Sequence, residues 1–255
     1  MEKIELTNRL RKFVASLDDA KVRREERVFV AEGTKCVLDT LRHFRCRYLF
    51  AGKDWHVTHA AKLNGMAVIG ASRADFERMS HLSTPPQVIA VYEMPVYEVD
   101  RREFEENLSL VLDRIQDPGN LGTIMRIADW FGIRQIICSH DTVDVFNPKV
   151  VQATMGAISR VKVVYEDLPE FLKSNPDVPC YGTFLDGENL YGTELSAHGF
   201  IVMGNEGQGI SDEVARLTGR RLTIPSYPVG VATSESLNVG MATAIVVGEF
   251  RRRMM

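Results

Sequence analysis

Cysteine is scarce in this chain and its spacing pairs with nothing. Cys36, Cys46, Cys138 and Cys180 lie far apart, with no Cys-x-x-Cys pair. That pattern argues against a disulfide framework and fits reduced thiols in core or strand positions of a cytosolic protein. His56 and His59 are three apart and can share a helix face, but no third ligand of clear type stands near, so no metal is expected. Long apolar runs are missing too. No window approaches the ~18–20 apolar residues of a membrane span, and Met1–Leu10 has no apolar region of the kind a secretory leader needs. The expectation is a soluble, cytoplasmic protein. There is no Gly-Lys-Ser/Thr phosphate loop and no Gly-x-Gly-x-x-Gly after the first strand, so neither a nucleoside-triphosphate loop nor a Rossmann dinucleotide site is supported. Repeats and low-complexity tracts are absent as well.

What is present is ordinary globular material: 255 residues, 45% hydrophobic and 25% charged, with a formal net charge of −3. That length makes one large or two modest domains. The net charge gives no global case for nucleic acid. Its distribution does more: in the first fifty residues Lys and Arg outnumber Asp and Glu by roughly four, a bias that attracts phosphates. Lys12, Arg23, Arg24 and Arg27 are the candidate RNA contacts, with a solvated helix face as the plainer alternative.

The pattern of the first half alternates. Helices are expected over Ile4–Ser16, Asp18–Arg27, Gly33–His43, a stretch ending near Asn64-Gly65, and Arg73–Met79 behind a Ser72 cap. Strands are expected at Val28–Val30, Tyr48–Phe50, Met66–Ile69 and Val88–Tyr92. This reads as a small α/β domain over 1–95. A polar stretch, 96–107, reads as an exposed linker. The second half, 108–255, is also α/β with a mainly parallel sheet. Its expected strands are Leu108–Leu112, Gln135–Cys138, Val161–Tyr165, Cys180–Phe184 (ending in a loop, Leu185–Asn189), Phe200–Met203 and Arg221–Ile224. Helices are expected after Asp117, over Pro148–Ile158, over Asp167–Lys173 and from Ser211.

Three stretches of this half stand out. The segment Ile224–Phe250 starts as a Pro- and Ser-rich loop and turns into an apolar helix, with Ser236 as its expected N-cap and Thr233, Ser234, Glu235 and Asn238 clustered around it. Free N–H groups at such a terminus can bind a polar ligand; a simply capped amphipathic helix is the alternative. Gly204-Asn205-Glu206-Gly207-Gln208-Gly209 follows a strand, at the edge where open α/β sheets bind ligands; a plain glycine-rich turn is the alternative. In DPGNLGTIMR, Arg126 lies among apolar helix residues and reads as buried, which demands an anionic partner. Asp113 or Asp129 would serve, as would a substrate phosphate or ribose.

Taken together and in order, DPGNLGTIMRIAD, IVMGNEGQGIS and SESLNVGMATAI resemble the three motifs of the SpoU family, also called the TrmH class, within the SPOUT superfamily. The resemblance covers about 108–253. It implies an S-adenosylmethionine-dependent RNA ribose 2′-O-methyltransferase, with a trefoil-knotted parallel α/β domain and a homodimeric state. The first hundred residues resemble the small α/β substrate-recognition domain of many members, related in fold to a ribosomal protein. The resemblance implies cofactor contacts from three loops: Thr183 to Gly187, including Phe184 and Leu185; Gly204 to Gly209, including Asn205, Glu206 and Gly207; and Ile224 to Leu237, including Ser236. The family's catalytic and motif residues fall on Asn120, Arg126, Glu206, Ser236 and Asn238, all present. The loop Pro225–Glu235 is longer than the usual family version, and roles there do not carry over.

The implied chemistry is methyl transfer from a sulfonium to a ribose 2′-hydroxyl of tRNA or rRNA, without a metal. A guanidinium has a pKa above ~12 and stays charged. Arg126 is therefore expected to grip a phosphate and polarise the hydroxyl, while Asn120 and Asn238 fix geometry. The alternatives are a non-catalytic RNA-binding protein on the same scaffold, an RNA base methyltransferase, and an α/β enzyme acting on a small phosphate-bearing substrate.

Overall fold

A computed structural model describes residues 5–63, 65–228, 231 and 234–255. The chain forms two compact units, one of residues 1–96 with 144–159, the other of 97–143 with 160–255.

The first unit opens with α1 (Asn8–Ala15), capped by Thr7, whose Oγ1 accepts the N–H of Leu10. Ile4, expected to begin this helix, lies outside the described residues. Then come α2 (Ala20–Glu26), β1 (Val28–Glu32), α3 (Thr34–Thr40), β2 (Cys46–Ala51), α4 (Lys53–His59), β3 (Ile69–Gly70), α5 (Arg73–Met79) and β4 (Val88–Glu93). Among the described residues the strands form one sheet in the order β1-β4-β2-β3, antiparallel except for the β2–β3 pair. Every residue of β1 is buried, and one core gathers Val28, Val30, Phe50, Ile89 and Val91 with Phe76 and Met79 of α5. β3 is shorter than the Met66–Ile69 strand expected, because only Ile69 and Gly70 find partners, on Phe50 and Ala51. Ser72 and Asp75 form the reciprocal capping box of α5.

In the second unit, α6 (Arg102–Glu105) lies inside the stretch expected to be an exposed linker. The reason is Phe104, which is fully buried against Phe171 and Phe200 and cannot be left in water. β5 (Leu108–Asp113) is buried at every position. It leads to α7 (Pro118–Trp130) and β6 (Gln135–Ser139), with Gly132 at φ 68° ending the turn after the helix. α8 (Pro148–Ala153), capped by Asn147, and the 3₁₀ turn over Ala157–Ser159 that follows it belong to the first unit, where α8 packs on β1. β7 (Lys162–Glu166), α9 (Leu168–Lys173), β8 (Cys180–Asn189), β9 (Gly199–Gly204), α10 (Asp212–Ala215), β10 (Arg220–Thr223) and α11 (Val239–Arg252) complete the chain.

The second sheet is parallel throughout, in the order β10-β8-β9-β5-β6-β7. The chain leaves β5 toward β6 and β7 on one side and returns to β8, β9 and β10 on the other. The carboxyl ends of β5 and β9 therefore flank the point where the strand order reverses, the usual ligand crevice of an open α/β sheet. Two expectations are corrected here. Leu185–Asn189 is part of β8, not a loop beyond it: Glu188 and Asn189 pair again with Leu222 and Thr223, and the register shift leaves the residues between as a bulge. The α11 N-cap is Asn238 rather than Ser236. Its Oδ1 accepts the N–H of Gly240 at 3.0 Å and of Met241 at 3.3 Å, whereas Ser236 is exposed two residues earlier.

Candidate active site

Asn120 occupies the first turn of α7. Its backbone N–H is taken by Oδ1 of Asp117, the N-cap, at 2.8 Å, so the side chain is left to look outward from a fixed turn. Its Nδ2 donates to Oε1 of Glu206, and its Oδ1 accepts from Nδ2 of Asn238 at 2.9 Å. One hydrogen-bonded line thus joins three stretches separated by 86 and 118 residues of chain. Two helix N-termini, of α7 and α11, meet there, and a carboxylate such as Glu206 is favoured beside their free N–H groups. α11 and α7 come close because Gly240 has no side chain: a Cβ there would lie 3.1 Å from Thr123 Cγ2.

Glu206 is presented by a loop that closes on itself. Asn205 and Gly209 exchange backbone hydrogen bonds of 3.1 and 2.8 Å, and Asn205 Oδ1 accepts the N–H groups of Gly207 and Gln208. Gly209 has φ 68°, and a Cβ on Gly204 would stand 2.3 Å from the backbone of Gly209 and Ile210. Gly204 and Gly209 are therefore required by the loop's own geometry.

The β8 bulge supplies Thr183, Phe184 and Leu185. Thr183 Oγ1 donates to Val202 O at 3.1 Å. Arg221 lies 3.5 Å over the Phe184 ring and pairs with Asp186 at 2.6 Å, which braces the bulge from β10. Gly187 lets it return to the ladder, since a Cβ would meet Leu222 C at 2.6 Å. Leu185 is exposed, as are Ser236 and Leu237, while Ile224 is half-buried just after β10. Among the described residues the backbone N–H groups of Ile224 and Leu237 have no acceptor. Thr233, part of the expected polar cluster, lies outside the described residues, as do 229, 230 and 232.

Two expected residues stand elsewhere than the sequence indicates. Arg126 is exposed, with no hydrogen bond or ion pair among the described residues. Asp129 is engaged by Arg160 at 2.8 Å, and Asp113 takes the N–H of Ser211 at 2.6 Å. Six residues of helix carry Arg126 about 240° around α7 from Asn120, so it does not join the line of three. It shares a stripe with Thr123 and Trp130 instead. Arg23, expected to meet RNA, has 1% of its side chain exposed; its guanidinium donates to Leu17 O, Asp18 O and Asp144 Oδ2. Lys12, Arg24 and Arg27 are exposed. Missing from the sequence reading is Arg114, at the carboxyl end of β5, which contacts the 205–209 loop; nothing in its local sequence marks it.

The four thiols do not contribute nucleophiles. Burial pushes Cys36, Cys46 and Cys180 up to about 12 and raises Cys138 as well. Among the described residues, no group of three His, Cys, Asp or Glu is placed to hold a metal, and no helix is long and apolar enough to cross a membrane.

A parallel sheet with a glycine-framed loop and two facing helix termini at its switch point defines an α/β protein built around a polar group-binding crevice. The chain belongs to the SpoU rRNA methylase family, whose description matches residues 107–248. Residues 8–90 match a second family, the MRM3-like substrate binding domain. Across 244 residues the chain is 31% identical to the 23S rRNA (guanosine(2553)-2′-O)-methyltransferase RlmP of Bacillus subtilis, covering 92% of this chain and 93% of that one. It superposes on a TrmH-family protein of Porphyromonas gingivalis with a TM-score of 0.85 at 40% identity, covering 97% and 99% of the two chains. An AdoMet-bound rRNA methyltransferase from Sinorhizobium meliloti gives 0.86 at 30% identity, covering 99% and 98%.

Proposed function

We propose that this chain transfers a methyl group from S-adenosylmethionine to a ribose 2′-hydroxyl of RNA, with ribosomal RNA as the substrate class. The observation that carries the reading is the Asn120–Glu206–Asn238 line, which ties the three motifs to one point at the strand ends. The named activity of the Bacillus relative and the cofactor in the Sinorhizobium structure support the choice of chemistry. In this reading 1–95 recognises RNA and 108–255 carries the transfer.

The residues present fit the cofactor. An adenine needs apolar faces and hydrogen-bonding edges; Leu185 and Leu237 are exposed, and the N–H groups of Ile224 and Leu237 have no acceptor among the described residues. Thr183, Phe184, Gly204, Asn205, Gly207, Gly209 and Ser236 complete the cofactor contacts of this reading. Bound there, S-adenosylmethionine supplies a methyl on a sulfonium, which leaves a neutral thioether. The harder part is the alcohol, a weak nucleophile until it sheds its proton, which passes to water as the O–CH3 bond forms and the S–CH3 bond breaks. A guanidinium stays charged; because Arg126 faces away from the Asn120 line on its own α7, in this reading it holds the neighbouring phosphate and polarises the hydroxyl at the line of a second copy. Glu206 locks the Asn120 amide, and Asn120 and Asn238 together hold the ribose. Fixing the reacting atoms in line is worth roughly 7–11 kcal/mol.

The same reading makes the chain a knotted homodimer in the cytoplasm. The stripe of Thr123, Arg126 and Trp130, with Met241 of α11 nearby, suits a second copy: Trp130 is 85% exposed and Met241 66%. The test of function is transfer of labelled methyl to separated tRNA and rRNA fractions, with digestion to nucleosides. Label in a 2′-O-methylnucleoside from rRNA is expected; label on a base, or transfer to tRNA alone, would displace the proposal.

A further inference from the structure

Arg114 stands directly after β5, with φ 59°. Left-handed backbone is unfavourable for a residue with a Cβ, so its occupation by arginine asks for a reason. The contacts supply one. Its N–H donates to Ser139 Oγ at 2.9 Å, at the end of β6. Its carbonyl accepts from Asn205 Nδ2 at 3.0 Å. Its Nη1 donates to Gln208 Oε1 at 3.0 Å, its Nη2 lies 3.5 Å from Gly209 O, and its Nε lies 3.5 Å from Asp113 Oδ1. The 205–209 loop is thus held to the end of β5 by a backbone carbonyl and by a guanidinium fork. A fork of this kind fixes orientation as well as distance. The apex of that loop is Glu206, and Glu206 meets Asn120, only six residues beyond Arg114.

We infer that Arg114 is a positioning residue: it sets the 205–209 loop so that Glu206 engages Asn120 and the catalytic line closes. The inference builds on the ribose-methylation reading for its activity, and on geometry alone for its effect on the loop. Arg114→Gly is the informative variant. Glycine accepts the same φ and leaves the N–H and carbonyl able to keep their contacts, so the side chain is removed without straining the backbone, and Arg114→Lys controls for the backbone freedom that glycine adds. Arg114→Lys keeps the charge and loses the fork.

The full-length protein and its Arg114→Gly, Arg114→Lys, Glu206→Gln and Arg114→Gly/Glu206→Gln variants would be compared in two ways. Amide hydrogen exchange reads the loop itself. At Gly207 and Gln208 it should quicken at least fivefold in Arg114→Gly while the strands keep their protection; unchanged exchange overturns the inference. Methyl transfer to in-vitro-transcribed 23S rRNA reads the consequence. In Arg114→Gly, kcat should fall at least tenfold with KM for RNA within threefold, and Arg114→Lys should recover only part of it. The double variant should be no slower than Glu206→Gln alone, because both changes open the same contact. Additive losses, or a rise in KM with kcat intact, would make Arg114 a substrate contact and overturn the inference. If the parent protein transfers no methyl to rRNA, the ribosomal reading fails, and the exchange measurement still decides what Arg114 does to the loop.

Discussion

A guanidinium with 1% of its side chain exposed has to find its acceptors inside the protein, and Arg23 takes two carbonyls and the Asp144 carboxylate. Within the first unit that pair ties residues from the middle of the chain to the N-terminal ones, alongside the ring contact of Phe146 with Phe29. Arg23→Ala would strand Asp144, so the loss should be about 3 kcal/mol in a urea unfolding series; a loss under 1 kcal/mol would show that the pair is dispensable. Arg126 presents the opposite case, a guanidinium in water with no partner among the described residues. Its removal costs the fold little. Arg126→Ala is expected to lower methyl transfer at least a hundredfold while S-adenosylmethionine affinity by calorimetry stays within threefold. Near-normal turnover would take Arg126 out of the mechanism.

At the scale of elements, pairs of helix ends and strand ends do the positioning. Asn238 caps α11 and at the same time reaches Asn120, so the start of one helix is fixed by the start of another. At the far end of α11, Arg252 and Arg253 clasp Glu249 and hold its carboxyl down to about 2. In the first unit, β1 ends in buried Glu32, which accepts from Ser80 Oγ, from the His81 N–H at 2.9 Å and from His81 Nδ1 at 2.8 Å; His81 Nε2 reaches Ala15 O at 3.1 Å. Burial opposes the charged ring, but the hydrogen bond and charge of Glu32 outweigh it and raise His81 above its ordinary 6.5. The ring binds its proton more tightly folded than unfolded. Its stabilisation is therefore complete below about pH 6.5 and fades as pH climbs through the raised value. Urea midpoints from pH 5.5 to 9 should fall for the parent relative to His81→Gln across that window; parallel curves would refute the coupling.

For the whole molecule, charge placement matters more than net charge. At −3 overall the chain has no general attraction for RNA, so the proposed reading assigns binding to local cations, with the exposed Lys12, Arg24 and Arg27 as its candidates. Each phosphate neutralised contributes about 0.7–0.9 to the slope of log affinity against log salt. Changing all three to Gln should flatten that slope by about 2–3 without altering cofactor affinity, and an unchanged slope would move the RNA contact elsewhere. The exposed Trp130 stripe bears on assembly. Trp130→Arg should shift a dimer to a monomer in sedimentation velocity, and a parent protein that sediments as a monomer would end that reading.

Much of this protein is set by local sequence. Alternating apolar runs and polar caps determine nearly every strand and helix, since burial of one face and satisfaction of helix termini act within a few residues; α5 has the expected bounds and Asp167 caps α9. Local sequence also marks the glycine-framed loop and the Asn120, Glu206 and Asn238 motifs. Tertiary structure decides what depends on distant partners. It buries Arg23 because Asp144 arrives from 121 residues away, and leaves Arg126 in water because no described residue pairs with its guanidinium. It draws Glu188 and Asn189 back into β8 because β10 lies alongside, and gives the α11 cap to Asn238. Arg114 belongs to the same class: its left-handed turn exists because Ser139, Asn205 and Gln208, contributed by other parts of the sheet, hold it there. A residue's own neighbours fix its backbone preference, whereas its charge and hydrogen bonds are settled only when the chain has folded around it.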